Sequence, residues 1–291
     1  MPLSAVIHLE CLTPGKIDQF TGRGVHGFWF NRWRSVDPAL ADQLHSETQE
    51  SPFTLSPLMG LPLARRGDNP IQVGQPAWLR ITCLNEELTA AFLEKWLVGL
   101  EKDCQFEVPP ARQKDGKVNT SVIWKISDAL FENGSHPFAA QIPYEKLAHC
   151  HLMALDPPRQ WQVEYLTPTA FNTGRANGGK DNHLPFPLPE SLVKSWLRRW
   201  QAFAPLALPE EELSAWARSN LAVSAYRLQT QPAREGEHLR VGCVGRMTLR
   251  ALDMPPYLRA AVDLLVSYSF YCGSGSHTAQ GMGQTRLLGS R

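Results

Sequence analysis

The stretch from Tyr268 to Leu288 constrains this sequence most, because four glycines lie close together at its centre. They form two pairs, Gly273 with Gly275 and Gly281 with Gly283. Glycine tolerates positive φ and lets backbone atoms approach a neighbour closely. Successive N–H groups in such a loop can form an electropositive nest for phosphate. The stretch predicts either a loop that binds a phosphate-bearing ligand or a tight connector, and the two pairs favour the ligand loop.

The order of elements around this loop excludes the common nucleotide-binding motifs. A dinucleotide loop lies between a strand and a helix, and a P-loop ends in Gly-Lys-Ser/Thr. Here an apolar helical run precedes the glycines, a strand-like run follows them, and Gln284 stands where the lysine would be. The pattern favours a loop that binds a nucleic-acid backbone. We expect no cofactor and no metal.

The length of the chain permits two domains, and its net charge does not indicate a nucleic-acid partner. The chain has 291 residues and a formal net charge of +1. Residues 151–291 carry 15 Lys and Arg against 11 Asp and Glu, whereas residues 1–150 carry 14 against 17. This mild asymmetry gives the surplus of positive charge to the half that contains the glycine loop.

Cysteine usage and hydropathy predict a cytoplasmic protein. The six cysteines are dispersed and lack CxxC spacing, which is typical of reduced, mostly buried thiols. The N-terminus has no basic region followed by a long apolar run, so we expect no signal peptide. No apolar run reaches about 18 residues, so we expect no membrane span.

Hydrophobic periodicity predicts alternating strands and helices in each half of the chain. In the first half we expect strands at 3–12, 53–58, 77–84, 104–108 and 118–125, and helices at 25–33, 37–45 and 86–101. In the second half we expect strands at 161–167, 223–230 and 241–252, and helices at 189–203, 210–221 and from 255 onward. The polar, glycine-rich segment 172–183 predicts a mobile loop.

Each half therefore follows the order strand, helix, strand, strand, helix, strand, which is the ferredoxin-like pattern. We expect an α+β protein of tandem ferredoxin-like (RRM-like) domains, each an antiparallel sheet with helices on one face. The proline-containing segment that starts at Asp156 marks the boundary, which divides the chain into residues 1–155 and 160–291. RNA-binding modules that lay RNA on a sheet share this architecture.

Two histidines near the N-terminus, His26 and His45, are candidates for acid–base chemistry. An imidazole can accept a proton from a nucleophile and return it to a leaving group near neutral pH. Two histidines beside one phosphodiester would supply metal-free RNA cleavage, and Arg23 could stabilise a pentacoordinate phosphate. The alternative for each residue is an ordinary surface or hydrogen-bonded role.

Basic residues in the second half are candidates for phosphate contacts. The helix predicted at 189–203 carries Lys194, Arg198 and Arg199 between tryptophans, and Lys194 and Arg198 share a face. Such a helix can contact the phosphates of an RNA stem, or it can simply expose a solvated charged face. Arg175 and Lys180 can clamp a backbone or belong to a plain flexible loop. The run from His149 to His151 lacks a fourth ligand and does not predict a metal site.

Four segments together resemble the CRISPR-associated endoribonucleases that process precursor crRNA, the "Cas-six" group of the RAMP superfamily. The terminal loop is similar to the family's glycine-rich signature, and segment 37–60 is similar to its N-terminal helix, histidine and following strand. The other two segments are 171–203 and 240–252. The terminal loop and segment 37–60 are the more specific when found together.

The resemblance implies tandem ferredoxin-like domains and metal-independent cleavage within a CRISPR repeat, which leaves 2′,3′-cyclic phosphate and 5′-hydroxyl ends. The family's catalytic histidine matches His45, and the second histidine of some members falls at His26. The Lys or Tyr that the family often adds has no counterpart here, which leaves Arg23 as the candidate for charge stabilisation. The implied RNA-binding residues are Gly273, Gly275, Ser276, His277, Thr278, Gly281, Gly283, Lys194, Arg198, Arg199, Arg175 and Lys180.

The implied partner is CRISPR repeat RNA within precursor crRNA. Subunits of a CRISPR effector complex are further candidate partners, and we expect a monomer or a homodimer and no membrane. Two alternatives remain open at this stage. One is a non-catalytic crRNA-binding RAMP subunit of an effector complex, which needs no histidine. The other is an unrelated protein that binds a small phosphate-bearing molecule through the glycine loop.

Overall fold

The computed structural model of the chain describes residues 1–46, 50–61, 69–100, 105–110, 121–175, 181–235, 238–253 and 255–291. These residues form two main antiparallel sheets, of six and four strands, with helices packed on each; four strands of the first follow the same order as the four of the second. The predicted α+β fold of tandem ferredoxin-like domains is therefore confirmed. No helix in the described ranges is long and apolar enough to cross a membrane.

The described residues of the first half form eight strands, four α-helices and one π-helical turn, Phe92–Trp96. In chain order they are β1 (Leu3–Cys11), β2 (Gly15–Ile17), α1 (Gly22–Val36), α2 (Pro38–Ser46), β3 (Phe53–Leu55), β4 (Asn69–Ile71), β5 (Pro76–Cys83), α3 (Glu86–Ala91), β6 (Gln105–Val108), β7 (Val122–Leu130), β8 (Ala140–Gln141) and α4 (Tyr144–Leu152). The main sheet has the order β3-β5-β1-β7-β6, β8 adds to β1, and β2 pairs with β4. Alternate residues of β1 enter the core that the helices cover, as a period of two requires.

The helix starts in this half agree with their local sequence signals. Asp37 Oδ1 accepts a hydrogen bond from the Leu40 N–H at 3.1 Å, and Asn85 Oδ1 accepts one from Leu88 at 2.9 Å. The helix predicted at 86–101 ends earlier, because the Leu97 N–H bonds to the Phe92 carbonyl in a π turn. This wider turn puts both Phe92 and Trp96 in the core.

The second half repeats the same strand order. Its elements are β9 (Gln160–Thr169), β10 (Phe171–Arg175), β11 (Asp181–Leu184), α5 (Pro189–Phe203), α6 (Glu210–Asn220), β12 (Leu221–Glu235), β13 (His238–Ala251), α7 (Pro256–Cys272) and β14 (Thr285–Ser290). The sheet order is β12-β13-β9-β14. In the first sheet the strands β3-β5-β1-β7 lie side by side in the same order as β12-β13-β9-β14 in the second. Each set of four forms the sheet of a ferredoxin-like domain.

The prediction of a mobile loop at 172–183 is wrong for its described ends. β10 and β11 form an antiparallel pair in which Phe171 faces Leu184 and Asn172 faces His183. Phe171 is buried in the second core and anchors the first arm of this hairpin. The polar composition did not indicate the strands β10 and β11, because their pairing depends on the buried Phe171 ring and on backbone hydrogen bonds.

The two halves share a polar interface centred on Arg80 of β5. Its guanidinium donates to Ser4 Oγ in β1 at 2.7 Å and to Gln284 Oε1 at the end of the segment before β14 at 3.3 Å. It also donates to the Phe270 carbonyl and lies 4.0 Å from the centre of the Phe270 ring. Burial lowers the pKa of the Arg80 guanidinium to about 9, which leaves it charged at neutral pH.

Helix α4 also joins the halves. Its buried residues, Tyr144, Leu147 and Ala148, pack in the core of the second half. The Tyr144 hydroxyl donates to the Leu84 carbonyl at the end of β5, at 2.6 Å. The helix therefore lies between the two cores, and the division into residues 1–155 and 160–291 stays a prediction.

Candidate functional site

The glycine loop comprises residues 273–284, between α7 and β14. Its backbone packs closely against itself and against a neighbouring segment. A Cβ placed on Gly283 would lie 2.1 Å from the Ser274 carbonyl oxygen, and Gly283 has a φ of 72°. A Cβ on Gly275 would lie 2.3 Å from the Ala170 carbonyl oxygen, at a φ of 78°. Side chains at these positions would collide with backbone atoms, so the loop requires glycine for both conformation and contact.

The same loop rests on the first turn of α1. A Cβ on Gly22 would lie only 2.0 Å from the Gln280 carbonyl oxygen, and a Cβ on Gly281 would lie 2.9 Å from the Gly22 Cα. Close by, the Thr21 hydroxyl accepts a hydrogen bond from the Leu58 N–H at 2.8 Å. The loop of the second half is thereby held against the helix that carries Arg23 and His26.

Helix α5 supports the loop from the other side with three polar side chains. Ser195 Oγ accepts a hydrogen bond from the Gly275 N–H at 2.9 Å. The Trp196 indole donates to Ser274 Oγ at 2.8 Å. Arg199 donates to Thr278 Oγ1 at 2.9 Å and to the Gly275 carbonyl at 3.1 Å. Sequence patterns did not indicate the loop-supporting role of Ser195, Trp196 and Ser274, because these contacts join distant parts of the chain.

These contacts correct two expectations. The N–H groups of Gly273, Gly275 and Gly283 are not available to a phosphate, since they bond to the Ser269 carbonyl, Ser195 Oγ and the Pro168 carbonyl. Arg199 is 4% exposed and bonds inside the protein, so it stabilises the loop instead of facing solvent.

The apex of the loop is its accessible part. Gly273, Gly275, Thr278, Gly281 and Gly283 are buried, whereas Ser276 and His277 are half-exposed. The Ser276 N–H and hydroxyl both bond to the Ala170 carbonyl, at 2.8 and 3.1 Å. The prediction of an RNA contact therefore depends mainly on Ser276 and His277.

The two candidate histidines both contact one aromatic ring, that of Phe30. His26 is in α1 and His45 is in the last turn of α2. The Phe30 ring centre is 4.8 Å from the imidazole centre of His26 and 5.5 Å from that of His45. Phe30 is buried and holds both rings in place, because it follows His26 by one helical turn and packs beneath α2.

The environments of these histidines differ. His26 is half-buried, and burial together with the charges of His45 and Arg23 lowers its pKa. His26 is therefore neutral at neutral pH, as a general base must be. His45 is exposed at the end of α2, and Arg23 is exposed one helical turn before His26. The arrangement can support proton transfer on both sides of a phosphodiester.

The predicted cations on α5 occupy different environments. Lys194 is exposed. Arg198 is also exposed but forms an ion pair with Glu50 at 2.6 Å, and the same carboxylate lies 3.4 Å from Arg199. Glu50 thus joins α5 to the segment after α2. The side chain of Arg175 and the whole of Lys180 lie outside the described part of the chain.

The described residues contain no group of three His, Cys, Asp or Glu side chains that could hold a metal ion. In the run from His149 to His151, the first two residues are exposed. His151 Nδ1 lies 2.6 Å from Asp263 Oδ2, whose other oxygen accepts a hydrogen bond from the Trp161 indole at 2.8 Å. This pair connects α4 to α7 within the fold.

The two main sheets, whose halves meet at the glycine loop, form a fold that solved structures share. A RAMP protein whose structure is described as binding different RNA substrates has this fold, with a TM-score of 0.62 at 14% identity. The family model for the CRISPR Cas6 N-terminal domain matches residues 1–147, and the model for the CRISPR-associated endoribonuclease Cas6 matches residues 163–285. The chain belongs to the Cas6 family of CRISPR-associated endoribonucleases, which confirms the resemblance found in the sequence.

Solved structures of similar proteins include RNA-processing complexes. A product complex of the Thermus thermophilus Cas6 TTHB231 is 28% identical with a TM-score of 0.77, over 99% of this chain and 100% of that chain. A product complex of the Cas6 TTHA0078 is 26% identical with a TM-score of 0.72, over the same shares. A substrate-mimic complex of TTHA0078 has a TM-score of 0.69 at 26% identity, over 99% of each chain. The comparison with curated proteins gives no match.

Substituting Gly283 by Ala tests whether the loop depends on close backbone packing. We expect Gly283→Ala to lower the free energy of unfolding by more than about 2 kcal/mol, because it combines positive φ with a backbone clash. The matched control is Gly289→Ala in β14, where no described atom lies within 4 Å of the added Cβ. Urea denaturation should show little change for the control. Equal stability of the two variants would contradict the packing role.

Proposed function

We propose that this protein is a CRISPR repeat RNA-specific endoribonuclease that processes precursor crRNA by metal-independent attack of a 2′-hydroxyl. The observation that supports this proposal most is that His26 and His45 both contact Phe30. Their helical region lies against the glycine loop of the second half. The complexes of similar Cas6 proteins with product and with a substrate mimic support the same substrate class. The products would be a 2′,3′-cyclic phosphate and a 5′-hydroxyl.

In the proposed mechanism His26 is the general base, because its lowered pKa keeps the imidazole unprotonated near neutral pH. It removes the proton of the 2′-hydroxyl, and the 2′-oxygen then forms a bond to the adjacent phosphorus. Arg23 stabilises the negative charge that develops on the pentacoordinate phosphate. The bond from phosphorus to the 5′-oxygen breaks as His45 protonates that oxygen. Water takes no part in this step.

The two halves of the chain have separate tasks in this proposal. Residues 1–155 carry the reacting histidines, and residues 160–291 carry the loop that positions the RNA. Ser276 and His277 contact the backbone directly, whereas the loop glycines, Thr278 and Arg199 maintain the loop's shape. Lys194 and Arg198 add phosphate contacts along α5, and the net positive charge of the second half favours this polyanion. The enzyme would act in the cytoplasm, as a monomer or homodimer, and would hand its product to a CRISPR effector complex.

Cleavage of a labelled cognate repeat RNA in excess EDTA tests the chemistry. We expect cutting to continue in EDTA and to stop when the residue at the cut site carries a 2′-deoxy sugar, because the nucleophile is then absent. His26→Ala and His45→Ala should each lower the single-turnover rate by about a hundred-fold to ten-thousand-fold while RNA binding is retained. The control is His149→Ala, an exposed histidine on α4.

Three outcomes would contradict this proposal in different ways. Cutting that EDTA abolishes would replace the metal-free mechanism. Full activity in both histidine variants would remove the assignment of the base and acid. Tight binding without cutting of either RNA would favour a non-catalytic crRNA-binding subunit of an effector complex, which uses the same fold and needs no histidine.

The pH dependence of cleavage tests His26 as the base. The rate should fall on the acidic side as His26 becomes protonated, with an apparent pKa below the ordinary value for histidine. Arg23→Gln removes a positive charge that lowers the pKa of His26, so the acidic limb should move to higher pH while the maximal rate falls. Arg34→Gln at the other end of α1 is the control and should leave the limb in place. An unmoved limb in Arg23→Gln would contradict the assignment of His26.

A further inference from the structure

The apex of the glycine loop contains a residue in an unfavourable backbone conformation. His277 has φ 58° and ψ 30°, and it is the one non-glycine residue with positive φ in the described part of the chain. The left-handed region costs a residue with a Cβ of order 1 kcal/mol, whereas glycine and asparagine adopt it readily. Four neighbouring positions of the same loop are positive-φ glycines. A histidine here costs stability that glycine would not, which indicates a use for its side chain.

A second histidine meets this ring from another element. His183 is in β11, and its imidazole centre lies 5.5 Å from that of His277 at an interplanar angle of 48°. Both residues are half-exposed. The hairpin of β10 and β11 is held beside the loop, because Ser276 bonds twice to the Ala170 carbonyl just before β10. The contact of the two rings is therefore set by the fold.

We propose that His183 and His277 form a phosphate-binding site for one backbone phosphodiester of the RNA, adjacent to the phosphodiester that is cleaved. An imidazole can donate a ring N–H, the two rings come from separate elements, and one phosphate has oxygen atoms enough to accept both bonds. The loop that carries His277 packs through Gln280 and Gly281 on the first turn of α1, the helix that also carries His26. This inference rests on the proposed function and adds His183, which no pattern in the sequence indicated.

The test measures the binding of an uncut repeat RNA that carries a 2′-deoxy residue at the cut site. His277→Asn and His277→Gly both suit the left-handed backbone and remove the imidazole, so they separate side-chain chemistry from loop geometry. We expect each of these variants, and His183→Ala, to weaken RNA binding by about three- to ten-fold. The variants His277→Asn and His277→Gly should be at least as resistant to urea denaturation as the wild type.

The double variant His183→Ala with His277→Asn should bind worse than either single variant, but by less than the product of the two separate effects, because both donors act on the same phosphate. A His149→Ala variant on α4 serves as the control and should bind like the wild type. Wild-type affinity in His277→Asn and His277→Gly would overturn the proposal. Wild-type affinity in His183→Ala alone would also overturn it, since His277 would then act without a partner. Failure of the wild type to bind repeat RNA would instead overturn the proposed function, and this site with it.

Discussion

The contact between the Gln280 carbonyl and Gly22 is the constraint on which the candidate site depends. The two backbones approach so closely that a single Cβ on Gly22 would lie 2.0 Å from the carbonyl oxygen. This packing brings the terminal loop of the second domain onto the first turn of α1. Because α1 also carries Arg23 and His26, an RNA held by the loop apex would lie beside the reacting groups.

A polar network at the domain interface keeps that contact in place. Gln284, which directly follows the last loop glycine, donates to the Leu55 carbonyl of β3 at 3.1 Å and accepts from Arg80. Arg80 in turn reaches β1 and the end of α7. Buried donors that lose a partner cost roughly 1–3 kcal/mol each, so the network favours one relative position of the two domains. The geometry between loop and histidines is therefore a property of the whole fold.

Local signals in the sequence predicted much of this fold, because they act over a few residues. The capping roles of Asp37 and Asn85 and the α5 limits from Pro189 to Phe203 follow from neighbours in the chain. The position of the histidines on α1 and α2 follows as well.

The same sequence patterns could not predict contacts between residues that are far apart in the chain. Arg199 resembles a surface cation in the sequence and is buried under the loop, because Gly275 and Thr278 come from a segment about eighty residues away. The loop glycines resemble a phosphate nest, yet their N–H groups bond to α5, α7 and β9. The pairing of His183 with His277 likewise joins two distant segments. Residue type alone could not separate these internal roles from ligand contacts.

The most direct test of the account is the structure of the His45→Ala protein bound to a repeat RNA with a 2′-deoxy residue at the cut site. We predict that C2′ of that residue faces His26. A 2′-oxygen placed on this carbon would then lie within hydrogen-bonding distance of the imidazole, about 2.6–3.2 Å. We also predict backbone contacts from Ser276 and His277 while the loop glycines stay buried. A cleavage-site phosphate that lies away from α1, with the loop apex free of RNA, would contradict this account.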